Sequence, residues 1–416
     1  MLVFIMLLSA LFLNVAFFFP ILCPWGGVLA VGLLWYYLYA GQSTPFNRVC
    51  VQSFAWGFCF YAPHLVWLLC LFATKSQASV TASMLWYVVM VVYFSIIASA
   101  WFGAGSRLAS ACKRSGARAL SLLLVVVGYF VFNEYFGLFL FGNFESCGYP
   151  FANPLIPLAR YSWFLALVSF ASSCLYGPTL QRSFFQPNDF ELVHIKPKKS
   201  ISFQQQVYAV YQAIGAHRLS GRAKHILFIA PESTIPFYIN REPWMINMLH
   251  CALPANGHLL IGAQFENEEH ELHQSIYCLD LRRIKTIYKK THSVPFVEKM
   301  PPFFKKCAIL RDIFLKDLRE TIEGSSKEKT APVFEIDSEN LIVPRMCSEL
   351  FFMSRAADFL AYRMMKKKVV LFFFVNDSWF VDYFTKIMEN VTCIKAAWFG
   401  LPIVYIGHEC YQKIKL

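Results

Sequence analysis

Long apolar stretches, broken only by short polar segments, fill the first 181 residues of the chain. A helix needs about 20 apolar residues to cross the hydrocarbon of a bilayer, and about six stretches approach that length. They fall near residues 2–22, 26–40, 50–73, 84–104, 120–141 and 155–175. The pattern predicts that residues 1–181 form an α-helical transmembrane bundle of about six helices.

The remaining residues, 182–416, show a different pattern, in which short apolar runs alternate with amphipathic segments. Val207, Val210 and Ile214 recur at helical spacing within residues 203–217, and a second helix is predicted over residues 350–364. Strands are predicted at residues 225–230, 258–265, 275–279, 341–346 and 369–375. This alternation favours an α/β layered domain.

The charge of the chain sharpens this division into two parts. Residues 1–181 hold seven basic and two acidic side chains, although the whole chain has a net charge of +12. No basic block is interleaved with stacking aromatic residues, so direct binding of nucleic acid is not predicted. Attraction to anionic lipid headgroups is a simpler interpretation of the excess charge. The basic loop from Arg107 to Arg118 is expected to face the cytoplasm.

The cysteine pattern does not favour a metal site. The 13 cysteines are scattered, and no CxxC pair occurs among them. Most of these thiols are expected to behave as small buried hydrophobic side chains. Neither a zinc site nor a redox motif is therefore predicted, and Cys347 is the one cysteine with a chemically distinctive setting.

Three polar residues at the ends of apolar strands are candidates for chemistry. Glu232 lies between two prolines in the segment Ala-Pro-Glu-Ser-Thr-Ile-Pro at 230–236, and a buried carboxylate there is costly unless it is paired or functional. Lys290 follows a basic strand and could stabilise a developing oxyanion. Cys347 stands between an apolar strand and a predicted helix, where a helix N-terminus would favour the thiolate.

Each candidate also has a purely structural interpretation. Glu232 could cap the following helix or form a turn, as strand-end acids commonly do. Lys290 could lie in a solvated basic loop, and an isolated cysteine such as Cys347 is usually inert. The joint occurrence of Glu, Lys and Cys, each at a predicted strand end, favours the chemical interpretation of all three.

Four ordered motifs carry a resemblance to a known family. They are Pro-Glu-x-x-Ile-Pro at 231–236, Tyr-x-Lys-x-His-x-Val-Pro-Phe-x-Glu at 288–298, Cys-x-Glu at 347–349 and Asn-Asp-x-Trp-Phe at 376–380. With Glu134 and the segment 142–155, they resemble the nitrilase (carbon-nitrogen hydrolase) superfamily, and within it the membrane-bound apolipoprotein N-acyltransferases. The resemblance implies that a nitrilase-type αββα sandwich, shortened at its C-terminus, follows the helical bundle.

The same resemblance implies a role for each motif residue. Glu232 would be the general base, Lys290 would stabilise the tetrahedral oxyanion, and Cys347 would be the nucleophile that forms a thioester. Glu298 and Glu349 would be supporting acids. No cofactor is implied.

The resemblance also implies substrates and a location. The acyl donor would be a phospholipid and the acceptor a lipoprotein N-terminal amine or another amine, at a bacterial inner membrane. A second interpretation is a nitrilase-like membrane protein of a conjugal DNA-transfer system. The two spans predicted after the basic loop would return the chain to the cytoplasmic side, which favours this interpretation, while the sequence leaves the side of the catalytic domain open. The sequence leaves the oligomeric state open.

Overall fold

The chain divides into two compact units. The first comprises Met1–Thr179 and Trp379–Trp398, and the second comprises Leu180–Ser378 and Phe399–Leu416. The computed structural model describes residues 2–18, 26–66, 69, 80–136, 190–196, 202–217, 225–268, 270, 272–291, 332–347, 349, 367–377, 392, 401–408 and 411–414.

Five helices make up most of the described part of the first unit. They are α1 Leu2–Phe18, α2 Gly26–Ala40, α3 Phe46–His64, α4 Val80–Ser110 and α5 Ser115–Phe136. Each overlaps one of the first five predicted spans, while the sixth span, at residues 155–175, lies outside the described residues. Of the helical stretches the structure describes, Ser83–Ser110 alone has the length and apolar composition needed to cross a membrane. The transmembrane bundle therefore stays a prediction.

The interior of the first unit contains both aromatic and polar side chains. Trp56 packs against Phe102 and Tyr129, with ring centroids 5.5 and 6.0 Å apart. The Ser9 hydroxyl donates to the carbonyl oxygen of Ala30 over 2.8 Å, which joins α1 to α2. The buried Ser9 hydroxyl thus finds its partner on a neighbouring helix rather than in solvent.

The described part of the second unit is built from strands and two helices. In chain order the elements are β1 Phe190–His194, α6 Phe203–His217, β2 His225–Tyr238, α7 Pro243–Ala252, β3 Gly257–Glu266, β4 Leu272–Asp280, β5 Ile284–Lys289, β6 Phe334–Glu335, β7 Asn340–Met346, β8 Lys368–Phe374, β9 Ile403–Ile406 and β10 Tyr411–Ile414. The predicted helix at residues 350–364 lies outside the described residues.

The strands form two five-stranded mixed sheets. The first sheet has the order β1-β2-β3-β4-β5, and the second has the order β10-β9-β8-β7-β6. In the first sheet β1, β2 and β3 run parallel, and β4 and β5 continue as antiparallel strands. In the second sheet β7, β8 and β9 run parallel between two antiparallel edge strands.

The alternation of side chains along β2 explains the layering. Leu227 and Ile229 point into a core that also contains Phe372 and Val404 of the second sheet. Ile226, Phe228 and Ala230 point the other way, into a core shared with α6 and α7. Because both faces are covered, β2 is apolar at every position from Ile226 to Ala230. The described layers are therefore helices, first sheet and second sheet.

All five predicted strands are present, but the pattern missed others. The strands β1, β6, β9 and β10 were not predicted, since they are short or carry polar residues, and β5 was expected only as a basic strand before Lys290, without stated bounds. The predicted helix at residues 203–217 is confirmed as α6. One boundary was wrong: the first predicted strand was expected to end at Ala230, whereas β2 continues to Tyr238.

His258, at the start of β3, predicts a pH dependence of stability. Burial, aided by the nearby positive charge of Lys285, lowers the pKa of His258 to about 4 from its ordinary value near 6.5. The unfolded chain binds more protons between these values, so this contribution is complete above pH 6.5 and is lost as the pH falls towards 4. The shift corresponds to at most about 3 kcal/mol of unfolding free energy.

We therefore expect the thermal midpoint of the purified protein to fall between pH 6.5 and 4, and to fall less in His258→Gln. Differential scanning fluorimetry of both proteins across this range measures the difference. Parallel curves for the two proteins would show that His258 does not contribute.

Candidate active site

Glu232 lies in a bulge of β2 rather than at the end of the strand. Ala230 pairs with Ile261 and Ile235 pairs with Ala263, so the four residues 231–234 lie opposite Gly262 alone. Such a bulge re-aims a side chain within an otherwise regular strand. Glu232 is 3% exposed, which places a carboxylate in the protein interior.

The bulge depends on glycine at position 262 of β3. A Cβ atom at Gly262 would lie 2.3 Å from the carbonyl oxygen of Pro231 and 2.7 Å from the Cα atom of Glu232. Ser233, directly after the glutamate, has a φ of 56°, which is the left-handed region that costs energy for a residue with a side chain. The local backbone is thus held in a strained form at Glu232.

Lys290 follows β5 and forms a buried ion pair with Glu232. The lysine Nζ donates to Glu232 Oε1 over 3.1 Å, and Lys290 is 2% exposed. Its backbone N–H donates to the carbonyl oxygen of Gln274 over 2.8 Å, which fixes the chain at this point. The interpretation of Lys290 as part of a solvated loop is therefore wrong, and Glu232 lies within a strand rather than at the start of a helix.

Cys347 follows β7 in the second sheet and has an unusual backbone conformation. Its φ is 39°, and its side chain is buried. A non-glycine residue with positive φ directly after a strand presents its side chain from a sharp turn. The predicted helix N-terminus after Cys347 lies outside the described residues, so its effect on the thiol stays a prediction.

Glu349 connects the segment around Cys347 with the segment around Lys290. Its Oε2 accepts from the hydroxyl of Tyr288 over 2.6 Å and from the backbone N–H of Met346 over 2.8 Å. Its Oε1 accepts from the backbone N–H and the hydroxyl of Thr291, over 2.6 and 2.7 Å. Met346 precedes Cys347 and Thr291 follows Lys290, so one carboxylate fixes the neighbours of both residues.

The surroundings keep Glu349 charged. Burial alone would raise the pKa of Glu349, but the positive charge of Arg345 and the hydrogen bonds from Tyr288 and Thr291 hold it below its ordinary value. Burial, together with the charge of Glu349, raises the pKa of Tyr288 well above its usual range. Tyr288 is therefore a neutral donor to a carboxylate that remains ionised.

Replacing Glu349 with glutamine should loosen this connection. The amide has one oxygen acceptor, whereas Glu349 accepts four hydrogen bonds with two oxygens. We expect a lower thermal midpoint and at least a roughly tenfold slower acylation of Cys347, because both neighbouring segments lose a fixed contact. Stopped-flow measurement with a 4-nitrophenyl ester gives the acylation rate.

Glu335→Gln is a matched control for Glu349→Gln. Glu335 is an exposed acid whose carboxylate pairs with Lys367 over 2.8 Å on the protein surface. Exposed pairs contribute little to stability, so this variant should behave as the wild type. Equal behaviour of the two variants would refute the role assigned to Glu349.

The structure brings four of the five predicted site residues into the second unit's interior. Glu232 and Lys290 are in direct contact, and Glu349 joins the neighbours of Lys290 and Cys347. Glu298 lies outside the described residues, so its supporting role stays a prediction. Among the described residues, no group of three or more His, Cys, Asp or Glu side chains is arranged to hold a metal ion.

Sequence reasoning assigned no role to three polar residues beside the candidate site, although one of them, Asp377, belongs to the motif at 376–380. Arg345 is 1% exposed and its guanidinium lies 5.8 Å from the centre of the Tyr288 ring. His408, which follows a strand of the second sheet, is buried and contacts the backbone of Glu232. Asp377 is buried and accepts a hydrogen bond from the backbone N–H of His408. Arg345 and His408 lie in otherwise apolar strand segments. A charged or polar residue in such a segment is the one sequence signal that could have indicated a functional role for them.

Comparison with known proteins gives distant likenesses only. No family model matches the chain, and no curated protein matches it. Similar solved structures include a glutamine-dependent NAD+ synthetase from Acinetobacter baumannii, an amidase from Nesterenkonia sp. and a carbon-nitrogen hydrolase from Helicobacter pylori G27. They are 12%, 12% and 11% identical to this chain, with TM-scores of 0.38, 0.36 and 0.34.

Each of these likenesses covers 52% of this chain. This chain spans 38% of the NAD+ synthetase, 74% of the amidase and 72% of the carbon-nitrogen hydrolase. The structures belong to the carbon-nitrogen hydrolase superfamily. Likenesses with TM-scores below 0.5 carry no argument about this chain, whose two five-stranded mixed sheets themselves define an α/β fold.

Proposed function

We propose that this protein is an acyltransferase or amidase of the carbon-nitrogen hydrolase type that uses Cys347 to form a thioester. The observation that carries the proposal is the buried Glu232–Lys290 ion pair, with side chains 3% and 2% exposed. Burying two charges is expensive and gains little stability, so such a pair is commonly retained for function. Glu349 connects the segment that contains Lys290 with the segment that contains Cys347.

The geometry supports a specific division of labour. Glu232 accepts the proton of the Cys347 thiol as the sulfur attacks the acyl carbonyl carbon. Lys290 stabilises the negative charge that develops on the carbonyl oxygen. When the carbon–oxygen or carbon–nitrogen bond to the leaving group breaks, Glu232 returns the proton to that group and a thioester remains.

The second half of the reaction reverses these roles. An amine or a water molecule attacks the thioester carbonyl and gives a proton to Glu232. Collapse of the tetrahedral species breaks the carbon–sulfur bond, and the Cys347 sulfur regains its proton. An amine acceptor yields an amide, whereas water yields a free acid, so access to the site decides between transferase and hydrolase.

We propose further that the first unit is embedded in a membrane. Apart from Tyr208, Trp244 and Leu281, every exposed large apolar side chain among the described residues lies within residues 2–136. Polar side chains such as Asn14 and Ser95 are instead buried in this unit. Apolar outside and polar inside is the distribution that lipid favours and water opposes.

This membrane setting favours lipid substrates of the apolipoprotein N-acyltransferase kind: a phospholipid donor and a lipoprotein or other amine acceptor at a bacterial inner membrane. The test is transfer of a labelled acyl chain from phosphatidylethanolamine to a diacylglyceryl-cysteine peptide by the purified protein. Transfer that requires Cys347 would support the full proposal. Thioester formation without transfer would leave the chemistry in place and remove this acceptor.

A second candidate is a membrane role in conjugal DNA transfer. The ends of α3, α4 and α5 that face one side of the helical unit carry four exposed basic side chains, Arg48, Arg107, Lys113 and Arg114. No described acid pairs with them. This positive end is expected to face the cytoplasm. Conjugation frequency in a strain that lacks the protein separates the candidates. A structural role in DNA transfer predicts a lower frequency that Cys347→Ala restores, whereas an acyltransferase without such a role predicts no change.

A further inference from the structure

The end of β9 reaches across from the second sheet to the candidate base in the first sheet. His408 follows this strand, and its Nε2 lies 3.2 Å from the backbone carbonyl oxygen of Glu232. A carbonyl oxygen only accepts, so Nε2 carries the hydrogen and the imidazole is the donor. His408 is 9% exposed, so this contact is shielded from competing water.

Asp377 fixes the position of His408. Its Oδ1 accepts the backbone N–H of His408 over 2.7 Å, and Asp377 is itself buried. A Cβ atom at Gly407 would lie 2.0 Å from Asp377 Oδ2, so only glycine allows the carboxylate to approach this backbone. His194 Nε2 also lies 2.8 Å from the Gly407 carbonyl oxygen, which ties β1 to the same turn.

The contacts of Glu232 converge from both sheets. Lys290 donates to its Oε1, the backbone N–H of Asn376 donates to its Oε2 over 3.2 Å, and His408 donates to its carbonyl oxygen. Asn376 is adjacent to Asp377, so one short segment after β8 holds the carboxylate directly and holds the backbone through His408. Both ends of the glutamate are therefore constrained.

The bulge in β2 explains why a hydrogen bond from His408 to the Glu232 backbone matters. Residues 231–234 lie opposite a single residue of β3 and are therefore out of regular ladder register. The positive φ of Ser233 adds local strain that the surroundings must hold. The donor from the opposite sheet adds a restraint to the backbone where the strand leaves the regular ladder.

We infer that His408 is a positioning residue that holds the Glu232 backbone, and with it the carboxylate, in the geometry needed to accept the Cys347 proton. The inference rests on the proposed function for its catalytic consequence. The structural part, a hydrogen bond that restrains residues 231–234, can be measured without any turnover. Asp377 positions His408, and it therefore restrains the Glu232 backbone indirectly.

The test compares His408→Gln with His408→Leu. A glutamine amide can donate to the Glu232 carbonyl, whereas leucine fills similar space without a donor. With 4-nitrophenyl octanoate as the acyl probe, we expect His408→Leu to lower kcat for acylation about tenfold or more with little change in KM. His408→Gln should retain most of the rate, and His258→Leu, a buried histidine remote from Glu232, should match the wild type.

Hydrogen–deuterium exchange of the peptide covering residues 231–238 is the second readout. We expect faster exchange in His408→Leu than in the wild type and His408→Gln. Unchanged rate and exchange in His408→Leu would overturn the inference, as would equal impairment of the two variants. If the wild type forms no adduct, the proposed function fails, and the exchange result still decides whether His408 restrains Glu232.

Discussion

Cys347→Ser is expected to abolish formation of a hydroxylamine-sensitive acyl adduct and to slow acyl transfer by a factor of about 10³ or more. A hydroxyl is a far weaker acid than a thiol, so Glu232 would have to remove a proton that the site is not suited to take. Serine is nearly isosteric with cysteine, and Cys347 is buried, so the fold should persist. Rates with a 4-nitrophenyl ester and intact-mass spectra measure both effects.

Cys251→Ser is the matched control for Cys347→Ser. Cys251 is an exposed free cysteine on α7 of the same unit. We expect this variant to keep the wild-type adduct and rate, because it contacts none of the candidate site residues described above. An adduct that survives in Cys347→Ser but disappears in Cys251→Ser would show that Cys347 is not the nucleophile.

The second large effect is expected on breaking the ion pair between Glu232 and Lys290. Lys290→Met leaves the Glu232 carboxylate buried without its cation, and Glu232→Gln leaves the ammonium buried without its anion. Removing one partner of a buried pair typically destabilises a protein by about 3–5 kcal/mol. Each single variant should also lower the acylation rate by about 10²–10⁴, through loss of the base or of oxyanion stabilisation.

The double variant Glu232→Gln/Lys290→Met separates stability from catalysis. It buries no unpaired charge, so its thermal midpoint should recover towards the wild type while activity stays lost. The exposed pair Glu335 and Lys367 gives the control, since Lys367→Met should change neither property. Wild-type stability of both single variants, or activity in the double variant, would contradict the account of this site.

The apolar pattern was sufficient to predict the buried strands. β2, β3, β7 and β8 are covered on both faces, so nearly every side chain in them is apolar and the run is visible in the sequence. The edge strands β1 and β5 are only partly buried, and their mixed composition resembles a loop. The partly buried strands β1 and β5 thus differ from the predicted ones in burial, whereas β9, which was also not predicted, is buried throughout but spans only the four residues Ile403–Ile406.

The bulge at Glu232 was mispredicted for a different reason. Pro231 and Pro236 are typical of turns, so the strand was expected to end before them. β2 instead continues because Gly262, on the neighbouring strand, leaves room for the displaced backbone. The cause lies in another strand, which a reading of residues 230–236 alone does not contain.

The motif residues of the candidate site were predictable from the sequence, whereas the contact of His408 with Glu232 was not. Glu232, Lys290 and Cys347 follow predicted apolar strands or a basic strand within recognisable motifs, so the sequence indicated them together. His408 is 176 residues from Glu232 in sequence and lies outside these motifs. Its contact arises only when the second sheet packs on the first, and no local pattern records that packing.

The central claim is that Cys347 carries an acyl group as a thioester within a site that Glu232 and Lys290 complete. Peptide mass spectrometry of the purified protein, after incubation with phospholipid and with 4-nitrophenyl octanoate, tests it most directly. The account predicts a hydroxylamine-sensitive acyl group on the peptide that contains Cys347 in the wild type, absent in Glu232→Gln. An acyl group on another residue, or none on Cys347 in the folded wild-type protein with either donor, would contradict it.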